Sequence, residues 1–390
     1  MVALTFIAAV VLLPVIIVTA CFAAEVFAGI TPLAPICREH WRGRVAVVVP
    51  AHNEKMIIGE TVSSLVGEMP SQYALLVVAD NCTDETADVA RRSGAQVLVR
   101  DDSKQRGKGF ALAAARELLS ADPPEVVIIV DADCRIDGQS LAALAGASAD
   151  LKRPCQAVYL LRPDLQASAM VQISNLAFMV KNLLRQRGLL RIAGRVHLTG
   201  TGMALPWALF EVADLGGANI VEDLALGLDL AKRNAPPSLV EEAAIWSGAA
   251  SADDTLVQRG RWEGGFLSTA IKAVPTALAR SLGRGDLRGV FAALDLAVPP
   301  LALLAIMNVA ALAVGAAAWL LGAETWPLGL LIAVGLAAAA ALAIAWVKEG
   351  RRFASGSTLA RLPLYVFWKL PLYLGLVRRG APKEWLRTGR

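Results

Sequence analysis

Four acidic motifs recur in a fixed order: Pro50-Ala51-His52-Asn53-Glu54, Asp80-Asn81-Cys82-Thr83-Asp84, Asp131-Ala132-Asp133 and Glu222-Asp223. Gln258-Arg259-Gly260-Arg261-Trp262 follows them. Mg²⁺ or Mn²⁺ takes oxygen ligands and shares its shell between one or two carboxylates and a diphosphate, so Asp131 and Asp133 supply a fitting pair. Such an ion acts as a Lewis acid on charge that builds on a departing nucleoside diphosphate. Acidic pairs after strands also serve simply to cap the next helix. Glu222-Asp223 suits a general base, because a hydroxyl attacking an anomeric carbon must lose its proton to something within hydrogen-bond reach. The same pair opens an apolar helix, Leu224 to Ala231, where acids meet the positive end of the helix dipole.

Two basic motifs accompany the acids. Arg106-Gly107-Lys108-Gly109 opens a helix, so two cations and free N–H groups could meet a phosphate, although a solvated helix start has the same composition. Gln258 to Trp262 gathers an amide, two guanidiniums and an indole within a turn and a half of helix. Arg261 can clamp a diphosphate, and Trp262 can offer a flat apolar face to a sugar ring. A membrane interface also collects Arg and Trp.

The elements that position these residues follow from the apolar runs. Val45 to Val49, Ala74 to Val78 and Val126 to Val130 are continuous apolar stretches, the pattern of parallel strands buried on both faces. Each ends in an acidic motif, so their carboxyl ends converge on one crevice, where open α/β sheets bind ligands. From Arg44 to about Pro163 strand-like and helix-like runs alternate, which predicts a doubly wound, mostly parallel sheet. Helices are expected over Ile57–Val66, Asp84–Arg92, Gly109–Leu119 and Gln139–Ala149, and further strands over Gln96–Val99 and Gln156–Leu161. Leu165 to Ile192 has the spacing of an amphipathic helix with a basic end; packing on the sheet and lying on a membrane both fit, as they do for Phe266 to Leu278. No Gly-x-Gly-x-x-Gly follows the first strand and no Gly-Lys-Ser/Thr loop exists, which argues against a dinucleotide-dependent oxidoreductase and a P-loop ATPase.

The chain has 390 residues, 56% of them hydrophobic, with a mean hydropathy of +0.52. That is too apolar for an ordinary soluble domain. The excess sits in Leu4–Ile30 and Leu287–Val347. The first segment is long enough to span a bilayer, and Met1 to Thr5 lacks the basic residues of a cleaved signal. Arg38, Arg42 and Arg44 follow it, so the amino terminus is expected outside and the motif-bearing domain in the cytoplasm, with the chain in the inner membrane. Leu296–Leu321 and Pro327–Val347 read as a hairpin of two spans, flanked on the inner side by Arg280, Arg284 and Arg288 and by Lys348, Arg351 and Arg352. Arg361, Pro363, Lys369 and Pro371 interrupt Leu359–Val377, and spanning would leave Arg378, Arg379, Lys383, Arg387 and Arg390 outside; a broken interfacial helix is expected there. The organisation expected is a span over 1–30, a cytoplasmic domain over 44–281, a hairpin over 290–347 and an interfacial segment over 359–390. Beyond Asp295 and Asn308 no buried polar network is foreseen in the membrane blocks, which argues against a transporter.

The net charge is +4, and basic residues cluster beside apolar segments rather than with stacking aromatics, a membrane footprint and not a nucleic-acid one. Cys21, Cys37, Cys82, Cys134 and Cys155 show no paired metal spacing and read as free thiols. His40, His52 and His197 are scattered, so a zinc site is not expected.

The ordered set Pro50-x-x-Asn53-Glu54, Asp80 to Asp84, Arg106 to Gly109, Asp131-x-Asp133, Gly200-Thr201-Gly202, Glu222-Asp223 and Gln258-x-x-Arg261-Trp262 resembles the membrane-bound family-two glycosyltransferases, the group containing cellulose, chitin and hyaluronan synthases. The likeness covers roughly Val45 to Trp262. It implies a GT-A fold, a nucleotide-sugar donor such as a UDP-sugar, an Mg²⁺ or Mn²⁺ cofactor and inversion by single displacement. By the same resemblance Pro50, His52, Glu54, Asp80 and Asp131 contact the donor, with Arg106 or Lys108 at its base or phosphates. Asp133 holds the metal beside Asp131, and Asp223 is the base. Gln258, Arg261 and Trp262 sit at the diphosphate and acceptor, and Gly200, Thr201, Gly202 and Glu222 border the acceptor sugar, although glycines there also simply make a turn.

About three spans are few for a channel that must shield a polar polysaccharide from lipid. Transfer of one sugar to a lipid-linked acceptor in exopolysaccharide or glycolipid assembly is therefore the expected activity. A processive synthase and a non-catalytic nucleotide-binding membrane subunit are the alternatives.

Overall fold

The computed structural model describes residues 1–36, 41–216, 222–248 and 252–380. Cys37, Arg38, His40, the Gly217-Ala218-Asn219 stretch, Lys383, Arg387 and Arg390 lie outside the described residues, and so does the side chain of Gln258.

Helix α1 (Val2–Ala28) precedes β1 (Val45–Ala51), α2 (Ile58–Glu68), β2 (Tyr73–Asp80), α3 (Thr86–Arg92), β3 (Gln96–Arg100), α4 (Lys108–Leu119) and β4 (Val126–Ile129). Then come β5 (Cys134–Ile136), α5 (Gly138–Leu151), β6 (Cys155–Leu161), α6 (Ala169–Met179), a π-helical turn (Val180–Arg185) and α7 (Gln186–Ala193). Strand β7 (Met203–Pro206), α8 (Trp207–Glu211), α9 (Glu222–Lys232) and β8 (Ser238–Ser247) follow. The remainder is helical: α10 (Ala252–Gly283), α11 (Leu287–Ala297), α12 (Leu301–Leu320), α13 (Trp326–Lys348), α14 (Gly356–Leu359) and α15 (Leu362–Arg379).

The chain divides into two compact units. One comprises Pro32–Arg162 and Arg195–Gly248, and the other Met1–Thr31, Pro163–Gly194 and Ala249–Arg390. The stretch 44–281, expected as one domain, thus contributes to both.

The first unit is built on an eight-stranded sheet in the order β3-β2-β1-β4-β7-β6-β8-β5. Strands β3, β2, β1 and β4 run parallel, each reached through a helix, as βαβ crossovers require. Beyond β4 the sheet is mixed: β7 pairs antiparallel with β4 and β6, β8 runs parallel to β6, and β5 closes the edge antiparallel to β8. Strand β4 explains why its stretch reads as continuous apolar sequence: Val126, Val127, Ile128 and Ile129 are all fully buried. Val48, Val78, Ile129, Leu112, Phe210 and Leu230 share one core between sheet and helices. Pro50 lies within β1 without breaking it. Val48 accepts from Val130, so this parity of β1 faces β4, and the pairing with β4 stops at Val48; the missing N–H of Pro50 falls where no partner strand remains.

In the second unit α1, α12 and α13 are long and apolar enough to cross a membrane. Their 27, 20 and 23 residues correspond to roughly 30–40 Å of helix. Leu12 and Ile16 of α1 pack against Ala311 of α12 and Leu331 of α13. Gly315 permits the approach, since a Cβ there would lie 3.0 Å from Leu328 Cδ1 and 3.3 Å from Leu12 Cδ1. The Leu165–Ile192 segment is not one regular helix: α6 and α7 are joined by the π turn. The segment around 359–377 is not broken either. After short α14, helix α15 runs unbroken from Leu362, with Pro363 in its first turn, where a missing N–H costs nothing, and Pro371 inside.

The buried polar network extends beyond the Asp295 and Asn308 foreseen from the sequence: Arg185 bridges Glu25 of α1 (2.5 Å) and Asp295 of α11 (2.6 Å). Both acids are buried and come from segments far apart in sequence, so hydropathy along the chain does not reveal their shared cation. Asn308 donates to Thr19 Oγ1 at 2.9 Å.

Candidate active site at the strand ends

The loops leaving β1 and β2 are stitched together. Asn53 takes a left-handed conformation (φ 55°), which asparagine tolerates better than most residues, and its Oδ1 accepts from the Thr83 N–H at 2.7 Å. The Glu54 N–H donates to Thr86 Oγ1 at 2.7 Å, and His52 Nδ1 lies 2.8 Å from the Asp80 carbonyl oxygen. Asp84 accepts from the Thr86 N–H at 3.0 Å. Pro50, His52, Glu54 and Asp80 are thereby gathered at one end of β1 and β2.

Asp80 itself is buried and receives Arg100 Nη1 at 2.6 Å. Arg100, absent from the residues singled out in the sequence, ends β3 directly opposite Asp80 in the parallel register. The signal was an arginine closing the neighbouring strand, visible only once the register is known. Asp80 presents a neutralised pair rather than a bare carboxylate.

The second gathering is centred on Lys108. Gly107 (φ 122°) turns the chain into α4, leaving Arg106 exposed while Lys108 points inward. The Lys108 ammonium donates to Asp131 Oδ1 and to the Gly200 carbonyl oxygen at 2.7 Å. The N–H of Gly109, in the first turn of α4, donates to Glu222 Oε2 at 2.9 Å. A Cβ on Gly109 would lie 2.1 Å from the Leu215 carbonyl oxygen, so only glycine fits. Gly200 (φ 92°) lies against the acids too: a Cβ there would sit 3.3 Å from Asp223 Oδ2. Lys108, Asp131, Gly200, Glu222 and Asp223 therefore share one locus within the sheet unit.

Thr201 is fully buried and accepts from the Asp131 N–H at 3.0 Å, while Gly202 donates to Ile129 (2.8 Å) and accepts from Ala157 (2.8 Å). This loop is braced by Gln156, a buried side chain that sequence reasoning treated only as strand: Nε2 donates to the Thr201 carbonyl at 2.9 Å and Oε1 accepts from the Thr199 N–H at 2.9 Å. Thr201 thus positions Asp131 from the protein side.

Electrostatics follow from crowding. Burial alone would lower the Lys108 pKa, but Asp131, then Glu222 and Asp223, outweigh it and hold the ammonium above its ordinary value. Burial pushes the Glu222 carboxyl up to about 7, with Lys108 opposing and Asp223 adding to the rise. Ligand atoms of Asp131, Asp133 and Cys134 all lie within 4.8 Å of one another. Burial, with Asp133 and Asp131 nearby, pushes the Cys134 thiol well up, and its Sγ donates to Asp133 Oδ1 at 3.5 Å. A protonated thiol is a poor ligand for a hard cation, which leaves the two carboxylates as the candidate donors, a set that suits Mg²⁺ or Mn²⁺.

Arg261 and Trp262 lie in α10, in the helical unit. Trp262 stacks on Phe178 (5.7 Å, 30°), and the Arg259 guanidinium lies over both rings, at 4.8 Å from Phe178 and 5.3 Å from Trp262. Ring packing within this unit already uses Trp262.

Residues 42–265 match the family described as Glycosyltransferase like family 2, more than half of the chain, and the chain belongs to that family. Its fold is GT-A. An uncharacterized glycosyltransferase of Mycobacterium tuberculosis is 37% identical over 100 residues, 26% of this chain and 41% of that relative. An uncharacterized protein of Methanocaldococcus jannaschii is 35% identical over 92 residues, 24% of this chain and 36% of its own length. The matches thus span less than half of these curated relatives. Among solved structures, a mannosyltransferase from Pyrobaculum calidifontis in complex with GDP-Man and Mn²⁺ shares the fold, with a TM-score of 0.56 and 19% identity, over 94% of this chain and 97% of that one.

Proposed function

We propose that the chain is a metal-dependent, inverting hexosyltransferase that moves one sugar from a nucleotide sugar to a lipid-linked acceptor at the cytoplasmic face of the membrane, in exopolysaccharide or glycolipid assembly. The observation that carries this reading is the locus where Lys108 meets Asp131 and Gly200, Glu222 accepts from the Gly109 N–H and Asp223 borders Gly200. In it a phosphate-seeking cation and a candidate base lie beside the metal-type carboxylate pair that follows parallel strand β4.

In the proposed reaction the acceptor hydroxyl oxygen attacks the anomeric carbon from the face opposite the diphosphate. The bond to the diphosphate oxygen breaks, the hydroxyl proton passes to the Asp223 carboxylate, and nucleoside diphosphate leaves with the configuration inverted. Glu54 and Asp80 hold the nucleoside end, and Lys108, with Arg106 at the loop rim, meets phosphate oxygens. A divalent cation held by Asp131 and Asp133 would neutralise charge gathering on the departing diphosphate. Gly200, beside Asp223, leaves room for the acceptor sugar, whereas Gly202 is closed in by Ile245 and Ala157; by the family resemblance Arg261 and Trp262 are assigned to the diphosphate and acceptor. The mannosyltransferase relative, solved with GDP-Man and Mn²⁺, supports a nucleotide-sugar donor and a metal.

Three apolar helices support membrane residence. Arg42 and Arg44 after α1, and Lys348, Arg351 and Arg352 after α13, favour a cytoplasmic catalytic side. The test is the full chain in lipid nanodiscs with Mn²⁺, a nucleotide-sugar panel and a polyprenyl-linked acceptor. Release of nucleoside diphosphate with a product one sugar heavier is expected; a ladder of long polymers would sink the single-sugar reading in favour of a processive synthase.

A further inference from the structure

Lys369 interrupts an aromatic, apolar helix, and the sequence offers no reason for it. In the structure it is the least exposed charge on the helical unit's carboxyl-terminal segment, fully buried in α15. Its ammonium donates to Glu263 Oε1 at 2.8 Å, and the Tyr373 hydroxyl donates to Glu263 Oε2 at 2.8 Å. Residues four apart on a helix share a face, so one side of α15 delivers two donors to the two oxygens of a single carboxylate. Glu263 belongs to α10 and directly follows Trp262.

The same turn of α10 is tied a second time, four residues earlier. Arg259 is buried; its Nε donates to Ser174 Oγ at 3.1 Å and Nη2 to the Ser174 carbonyl at 3.2 Å, both on α6. Its guanidinium completes the stack with Phe178 and Trp262. Positions 259 and 263 occupy one face of α10, and Arg261 sits roughly 200° round the helix from each. The turn is held at both ends of this face, with position 261 on the opposite side of the helix.

Apolar packing alone leaves the register of α15 poorly specified. Its far side is also apolar, with Leu364, Phe367 and Leu374 at 60%, 66% and 53% exposure. A helix that is apolar all round can turn about its axis at little cost, whereas one buried ion pair admits a single setting. We infer that Lys369, Glu263 and Tyr373 are positioning residues: they lock α15 against α10 and so fix the orientation of the turn that carries Arg261 and Trp262. This rests on the reading of Arg261 and Trp262 as part of the transferase site. Because the Lys369 ammonium faces Glu263, the outer side of α15 is left apolar.

The test compares Glu263→Gln, Lys369→Met, Tyr373→Phe and the exchanged pair Glu263→Lys with Lys369→Glu, each as full chain in nanodiscs. Expected are a kcat for sugar transfer lowered about tenfold or more in Glu263→Gln and Lys369→Met, with the donor KM within about twofold, since leaving-group contacts count in the transition state. The exchanged pair should recover most of the lost kcat. Tyr373→Phe, the mildest change, should fold as the wild type does and lose a few-fold in kcat alone. Wild-type kcat in Tyr373→Phe and Glu263→Gln would overturn the inference, as would single and double effects that simply add with no recovery in the exchanged pair. If the wild-type protein itself transfers no sugar, the proposed function fails first, and the two failures are distinct.

Discussion

Lys108 and Asp131 form an ion pair whose cation also holds the Gly200 carbonyl oxygen at 2.7 Å, joining the helix after β3, the end of β4 and the glycine loop at one nitrogen. The pair does two jobs at once. It neutralises a carboxylate that would otherwise sit with Glu222 and Asp223, and it keeps a cation where donor phosphates are proposed to arrive. Removing the ammonium in Lys108→Met leaves acids facing each other and a carbonyl without its donor, so stability should fall by roughly 1–3 kcal/mol. Nucleotide affinity should weaken as well, which isothermal calorimetry with nucleoside diphosphate would read.

Glycine at 200 has two reasons to be there. Its φ of 92° disfavours any side chain, and a Cβ would reach within 3.3 Å of Asp223. Gly200→Ala should cost about 1–2 kcal/mol in backbone strain, and should lower transfer more than it lowers donor binding, because it crowds the candidate base. Measuring kcat beside donor Kd separates the two.

The pH dependence of stability carries a signature of Glu222. Its folded-state pKa of about 7 lies above its ordinary 4.5, so the folded protein holds that proton more tightly. The contribution is therefore fully present below 4.5 and is lost as pH rises through 7. Glu222→Gln, which cannot ionise, should gain thermal stability relative to wild type across that interval and show no such slope itself. Parallel melting curves for the two proteins would contradict the burial of this carboxyl.

In the helical unit Arg185 bridges buried Glu25 and buried Asp295. Arg185→Met would leave two buried acids without their cation, a change worth about 3–5 kcal/mol. Loss of thermal stability in nanodiscs should exceed that of the double change Glu25→Gln with Asp295→Asn carried on the Met background, which removes the orphaned charges.

Much of the first half of the sheet was legible because strands such as Val126–Ile129 are buried on both faces and therefore announce themselves as continuous apolar runs. The βαβ helices were legible as the segments between those runs, each burying one face. The antiparallel return of β7 was not, since its Met203–Pro206 run is too short to carry a period. At the site, acids were legible by type, but their partners were not. Arg100 reaches Asp80 through strand register, Gln156 braces Thr201 from across the sheet, and Lys108 meets Asp131 over a loop. Each is a long-range pairing that local spacing cannot encode. Lys369 shows the converse: local sequence marks it as an intrusion, and only the distant Glu263 makes it sensible.

Asp131→Asn and Asp133→Asn should both make transfer insensitive to added Mn²⁺, with Asp131→Asn also freeing Lys108 from its pair. Manganese titration of activity in each variant checks this, and an unaltered Mn²⁺ dependence would move the metal elsewhere.

The central claim is that Asp223 takes the acceptor proton in a single inverting displacement. The most direct measurement is transfer by wild type and Asp223→Asn in nanodiscs, with the anomeric configuration of the product read by NMR. The expected result is inversion in the wild type and a fall of roughly 10²- to 10⁴-fold in the variant with donor affinity kept. Retained configuration, or an Asp223→Asn variant that transfers sugar at the wild-type rate, would contradict it.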